Sequence, residues 1–188
     1  KYFIMPLEDF LYSKLVKGLG FPPTSCQVEL FKSLSLFLVT QEEEIMLING
    51  YAGTGKTSAI ASLTTSLKEF DRNFILLAPT GRAAKVLAGY TGSKSFTIHK
   101  HIYRQKSAKD GFGVFTLNQN LSNDTLYIVD EASLVSNGNN ESSIFGSGRL
   151  LDDLIQYVKG GNNNKLILLG DSAQLPPVGQ LFSVALYI

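Results

Sequence analysis

Cysteine occurs once in this chain, at Cys26, which rules out an internal disulfide and a multi-cysteine metal site. No apolar run approaches the ~18 residues of a membrane-spanning helix. The opening residues, KYFIMPLEDF, hold one lysine and a short apolar patch that soon meets Glu8 and Asp9, which is not the pattern of a secretory leader. These absences predict a cytoplasmic setting and no membrane partner. No internal repeat is present. One further absence is local: between Asp71 and Asp110 there is no carboxylate at all. That stretch carries eight cations, Arg72, Arg82, Lys85, Lys94, Lys100, Arg104, Lys106 and Lys109. The other nine basic and all sixteen acidic residues lie outside it, a balance of −7 there against a net charge of +1 for the chain. A nearly neutral protein with one acid-free basic segment predicts a localised polyanion surface; a solvated face without a partner is the alternative.

The 188 residues suffice for one domain with a real core. A leading helix is expected within residues 1–20, with Leu7, Phe10, Leu11 and Leu15 on one face and Gly18 and Gly20 ending it. Thr24 and Gln27 have capping-box spacing at the start of a second helix. EIMLING, NFILLAPT, TLYIVDEAS and KLILLGD read as buried strands, and helical patterns separate them. Continuous apolar strands alternating with helices predict an α/β fold, a parallel sheet with helices on both faces. Two stretches break the rhythm. Residues 101–120 contain Asp110-Gly111 and predict a small hairpin. Residues 136–148, rich in Asn, Ser and Gly, predict a mobile loop.

GYAGTGKT, residues 50–57, fits the phosphate-binding pattern G-x-x-x-x-G-K-[ST], with a strand before it and a helix after it. Glycines let the backbone wrap phosphate oxygens, and the helix N-terminus adds positive potential. Lys56 reaches the β and γ phosphates, and the Thr57 hydroxyl suits Mg2+. LYIVDE places Asp130 at a strand's C-terminal end, where doubly wound sheets bind ligands, with a second Mg2+ contact as its role. Glu131, next along, is placed to polarise water as a general base. GDSAQLPPVG follows another strand. Its Asp171 and Gln174 fall at the same end of the sheet, and the amide of Gln174 suits a γ-phosphate sensor that the rigid Pro176-Pro177 step couples to the chain beyond. A capped loop with an incidental glutamine is the alternative.

The order of motifs resembles that of superfamily 1 helicases. GYAGTGKT, APTGRAA, SFTIHK, IVDEASLV and LLGDSAQLPPVG are similar to their motifs I, Ia, Ib, II and III, and look most like the RecD-like branch that includes the exodeoxyribonuclease V alpha subunit. TSCQ is similar to that family's Q motif. The resemblance spans residues 24–179. It implies a RecA-like P-loop NTPase fold, ATP with Mg2+, and 5′ to 3′ translocation on single-stranded DNA, with helicase–nuclease complex subunits as possible partners. It assigns adenine recognition to Gln27, and nucleotide binding to Gly50, Gly53, Thr54, Gly55, Lys56 and Thr57. It gives Mg2+ to Thr57 and Asp130, and catalysis to Lys56, Glu131 and Gln174. DNA contacts fall to Pro79, Thr80, Gly81 and Arg82 and to Thr97, His99 and Lys100, inside the acid-free basic stretch. Tyr90, Phe96, Tyr103 and Phe112 are interleaved there as stacking platforms would be, though each also fits a core. His99 and His101 make no zinc site without further ligands.

Motifs that follow the third in such helicases belong to a second RecA-like domain carrying an arginine finger, and none is found before Ile188. The expectation is one RecA-like domain over residues 1–188 that binds nucleotide yet turns it over slowly alone. A nucleic-acid-binding module gated by ATP without unwinding, and a P-loop enzyme acting on a small molecule, are the competing readings.

Overall fold

The computed structural model describes residues 5–51, 53–106, 114–137, 144–171, 173 and 184–186. Helix α1 (Leu7–Leu19) and helix α2 (Ser25–Val39) precede strand β1 (Ile45–Asn49). Helix α3 (Lys56–Glu69), β2 (Phe74–Ala78), α4 (Gly81–Thr91) and β3 (Ser95–Thr97) follow. Then come α5 (Ile98–Ile102), β4 (Tyr103–Gln105), β5 (Phe115–Leu117), β6 (Leu126–Val129), α6 (Leu150–Lys159) and β7 (Lys165–Gly170).

Five strands form one parallel sheet in the order β1-β7-β6-β2-β3. Side chains alternate across it, as the strand period of two requires. Leu76, Ile128, Ile167 and Leu169 point to a core shared with α1 to α4, where Leu15, Phe31, Leu34 and Leu63 are buried. Leu77, Tyr127, Val129, Leu166 and Leu168 point to a second core with α5 and α6, filled by Ile98, Ile102, Leu151 and Leu154. Both faces are covered, which makes this the α/β P-loop NTPase architecture expected from the strand pattern. No helix among the described residues is long and apolar enough to cross a membrane.

The fifth strand, β3, has no apolar run to announce it. It is three residues long and sits at the sheet edge, held by pairing of Leu77 with Phe96 and Ala78 with Thr97. The leading helix also differs from expectation. Gly18 does not end α1; it lies inside it, where a Cβ would fall 2.7 Å from Ser62 Oγ, and the Ser62 hydroxyl donates to the Leu15 carbonyl. The glycine lets α1 lie close against α3. Gly20, at φ 78°, makes the left-handed C-cap. The stripe Leu7, Phe10, Leu11, Leu15 is buried only at its far end: Leu15 is 1% exposed, Leu7 62%.

At the other end of the sheet, Lys165 donates to the carbonyls of Phe37 (2.6 Å), Thr40 (2.5 Å) and Glu43 (2.9 Å), using all three of its N–H donors. It thereby ties the last turn of α2, through Phe37, to the cap at Thr40 and the turn at Glu43.

On the second face β4 and β5 pair antiparallel, Tyr103 opposite Leu117. The Asp110-Gly111 turn between them lies outside the described residues. Of the 136–148 segment, Phe145 stacks on Phe115 with centroids 4.6 Å apart, and the backbone of Ile144 and Gly146 bonds to that of Phe115. The buried Tyr103 hydroxyl donates to Asp153 Oδ2 at 2.6 Å, and the Ser147 amide donates to the same oxygen at 2.9 Å. Burial and the adjoining carboxylate push the Tyr103 phenol well above its usual range.

Candidate functional site

The glycine-rich turn begins where β1 ends. The Gly50 amide donates to the Gly170 carbonyl at 3.2 Å, fastening the exits of β1 and β7 together. Gly53 and Gly55 have φ 79° and 84°, a region where a side chain is strained. Gly55 is doubly constrained: it is the N-cap of α3, and a Cβ there would fall 2.5 Å from Gln27 Nε2. The Thr54 hydroxyl donates to the Tyr51 carbonyl at 2.8 Å. Lys56 turns its ammonium back onto the loop, donating to the carbonyls of Gly50 and Tyr51. Two neutral carbonyls are weaker partners for an ammonium than a phosphate is, so an anion at the loop can recruit Lys56 away from them.

Asp130 directly follows β6. Its Oδ1 accepts from the Glu131 amide at 2.9 Å. Burial pushes its carboxyl up, while the Glu131 amide and the nearby Lys56 ammonium pull it back. Glu131 has φ 56° and ψ 35°, left-handed backbone that a non-glycine residue adopts at a cost of about 1–3 kcal/mol. The turn imposes it: Glu131 starts the 3-10 turn Ala132–Leu134, and the Leu134 amide returns to the Glu131 carbonyl. Asp171, only 3% exposed, follows β7 and accepts from the Ala173 amide at 2.9 Å.

Because β1, β7 and β6 are consecutive in the sheet, their exits converge. Gly53 to Thr57 of the loop, Asp130, Glu131 and Asp171 line one cavity of ≈ 620 Å³, within the usual range for small-molecule sites. Positive-φ glycines at a helix N-terminus, a lysine and a threonine make a cradle for phosphates. The hydroxyl of Thr57 and the carboxylate of Asp130 are hard oxygen donors of the kind Mg2+ takes. The donor set therefore fits a magnesium nucleotide.

Gln27 is placed differently. It is 4% exposed and lies beneath Gly55 rather than on the cavity wall. Its Oε1 accepts from the Thr24 amide at 3.0 Å, and its own amide donates to Thr24 Oγ1, a full capping box. Gln174, with Pro176-Pro177, lies outside the described residues. Phe21 and Tyr90 line the cavity although the phosphate motifs do not include them, and both are more than half exposed. Only their exposure marks them, and exposure of an aromatic is not written in sequence.

The segments Pro79–Arg82 and Thr97–Lys100 lie side by side, because β2 and β3 pair in parallel and both exit at the phosphate end. Thr80 Oγ1 accepts from the Ala83 amide and Thr97 Oγ1 from the Lys100 amide, so both hydroxyls act as helix caps. Gly81 opens α4, and Arg82 and Lys100 are exposed. His99 packs edge-on against Phe145 at 5.0 Å, and burial lowers its imidazole, which leaves it neutral near pH 7. The parallel sheet also divides the basic stretch. Arg82 and Lys100 follow strands, whereas Arg72 and Lys94 precede β2 and β3 and fall at the opposite end. The single polyanion surface expected from the charge map is thus two regions. Among the described residues, no group of three or more His, Cys, Asp or Glu is placed to hold a metal.

A family described as an AAA domain matches residues 32–185. An uncharacterised protein of Acanthamoeba polyphaga mimivirus is 29% identical over 175 residues, 79% of this chain and 32% of its own length. The ATP-dependent RecD2 DNA helicase of Deinococcus radiodurans is 31% identical over 140 residues, 71% of this chain and 16% of its own length. The chain thus spans about a third or less of the length of these relatives. The solved structure of Pif1 helicase from Candida albicans aligns over 100% of this chain and 38% of that one, at 18% identity and a TM-score of 0.43. With its phosphate loop, Asp-Glu strand exit and doubly covered parallel sheet, the chain belongs to the AAA domain family and has the α/β P-loop NTPase fold.

Proposed function

We propose that this domain hydrolyses ATP to drive movement along single-stranded DNA, as the motor of an ATP-dependent DNA helicase of the RecD-like branch, with 5′ to 3′ polarity. The observation that carries the reading is the convergence of Lys56, Thr57, Asp130, Glu131 and Asp171 on one cavity at the exits of β1, β6 and β7. In this reading Lys56 leaves the Gly50 and Tyr51 carbonyls and neutralises the β and γ phosphates. Thr57 and Asp130 hold Mg2+, which supplies charge neutralisation at the transferred phosphoryl group when bound. Glu131 orients and deprotonates the attacking water. Gln174 senses the γ-phosphate. Arg82 and Lys100 contact DNA phosphates one strand exit away, so the same end of the sheet serves both ligands. The name of the Deinococcus relative supports DNA as the track. Subunits of a helicase–nuclease complex are the partners this branch would meet.

Calorimetry of wild type and Lys56→Ala with Mg-ATP tests the reading. The variant should keep its fold and lose at least tenfold in affinity, because among the described residues Lys56 bonds only to the loop. Equal affinities would remove the phosphate site from the loop. DNA-stimulated turnover with directional unwinding separates a motor from a switch that only binds.

A further inference from the structure

At the end of the sheet opposite the phosphate loop, the unburied half of α1 borders a groove. Its apolar part, ≈ 250 Å³, is lined by Leu7, Phe10, Leu11, Leu38, Leu67 and Phe70. Its polar part, ≈ 230 Å³, adds Asn73, Asp124, Asn163 and Lys165, and Arg72 belongs to both. Leu7, Phe10 and neighbouring Met5 are exposed, at 62%, 39% and 54%. The stripe that sequence reads as core is therefore apolar surface continuous with a concave, charged pocket. Surface of this kind marks an interaction site.

Charge decides what the site accepts. Among the described residues no carboxylate pairs with Arg72. Asp124, the one acid lining the groove, accepts from the Asn163 amide at 2.5 Å. Glu69 is paired to Lys14, and Glu44 to Lys159. Lys165 spends its donors on three carbonyls; burial lowers its ammonium below the usual range, the Glu43 and Glu44 carboxylates oppose that, and Arg72 adds to it. Arg72 is exposed and has no acid partner among the described residues, so an incoming carboxylate meets a free guanidinium. The apolar part, ≈ 250 Å³, has room for a single large side chain and is bordered by the exposed Leu7 and Phe10 of α1.

We propose that this groove docks a short peptide segment of a partner protein, with a large apolar side chain entering between Phe10, Leu38 and Phe70 and a neighbouring carboxylate meeting Arg72. The main-chain path lies over the first turns of α1. Guanidinium to carboxylate is the bidentate pair that sets register, and the apolar anchor supplies the affinity.

A random heptapeptide phage library, selected against the immobilised protein and against Phe10→Ser and Arg72→Glu, tests this. The wild type should enrich Leu, Ile, Phe or Met within two positions of Asp or Glu. Phe10→Ser should abolish the enrichment. Arg72→Glu should replace the acidic requirement with Lys or Arg, a reversal that a merely unfolded variant cannot produce. A synthetic peptide from the winning family should bind Arg72→Glu at least tenfold more weakly than wild type, while Mg-ATP affinity is the same in all three proteins. Enrichment with no acidic preference, equal enrichment on both variants, or none on the wild type would overturn the proposal. So would a concentration-dependent dimer in sedimentation velocity that Phe10→Ser abolishes, since the occupant would then be a second copy.

Discussion

Gly55→Ala in the phosphate loop has two separable costs. The position has φ 84°, where an L-residue with a Cβ is disfavoured by about 1–2 kcal/mol. The new methyl would also fall 2.5 Å from Gln27 Nε2, an overpacking that costs about 1–3 kcal/mol. The total of about 2–5 kcal/mol should appear in urea denaturation as a lowered midpoint with an unchanged slope. Gln27→Ala alone removes the reciprocal half of the capping box, with a net cost of about 0.5–1.5 kcal/mol for the lost bond to the Thr24 amide. In the double variant the clash disappears and the backbone strain stays. The two substitutions should therefore couple by about 1–3 kcal/mol, well beyond the ~0.5 kcal/mol scatter of independent sites. ATP and GTP affinities, measured by calorimetry on the same proteins, add a second readout. A buttress beneath Gly55 supports the loop for either base, so Gln27→Ala should weaken both nucleotides alike. Additive stabilities would show that Gln27 does not press on the loop. A selective loss of ATP would show that it reads the base instead.

Arg82→Ala and Lys100→Ala should each flatten the salt dependence of single-strand binding by about 0.7 in log–log slope, whereas Lys94→Ala, at the opposite end of the sheet, should leave it unchanged; fluorescence anisotropy across a salt series measures all three. Tyr103→Phe strips one donor from buried Asp153 and should cost about 1–3 kcal/mol, read as a lower Tm, with nucleotide affinity preserved. Burial holds the imidazole of His101 below its usual 6.5, among Phe96, Tyr127 and Tyr157, with Nε2 unpartnered among the described residues. The unfolded chain binds that proton more readily, so the contribution is present above pH 6.5 and lost as pH falls below it. His101→Phe should shrink the fall in Tm between pH 7 and pH 5, and an unchanged fall would assign it to other groups.

The main frame was legible because it is written in the strongest signals. Apolar runs flanked by Gly, Asp and Pro mark β1, β2, β6 and β7, and the loop from Gly50 to Thr57 carries its chemistry in its spacing. What escaped depends on neighbours. β3 is a strand only because β2 offers it an edge. Gly18 reads as a helix stop, yet its absent side chain is needed by Ser62, 44 positions away. The basic stretch is continuous in sequence, but parallel strands send alternate connections to opposite ends, so Arg72 and Lys94 part from Arg82 and Lys100. The stripe of α1 has helical period throughout, and period alone does not say how far the covering surface extends.

Helix α2 is fastened at both ends to the sheet that frames the cavity. Lys165 bonds the Phe37 carbonyl in its last turn, and ten residues earlier, about 15 Å at 1.5 Å per residue, Gln27 lies against Gly55. Strand β7 starts at that lysine and ends at Gly170, whose carbonyl holds Gly50. Rod, strand and loop therefore form one connected frame, and the rod's last turn, Leu38 and Val39, is also a wall of the far groove.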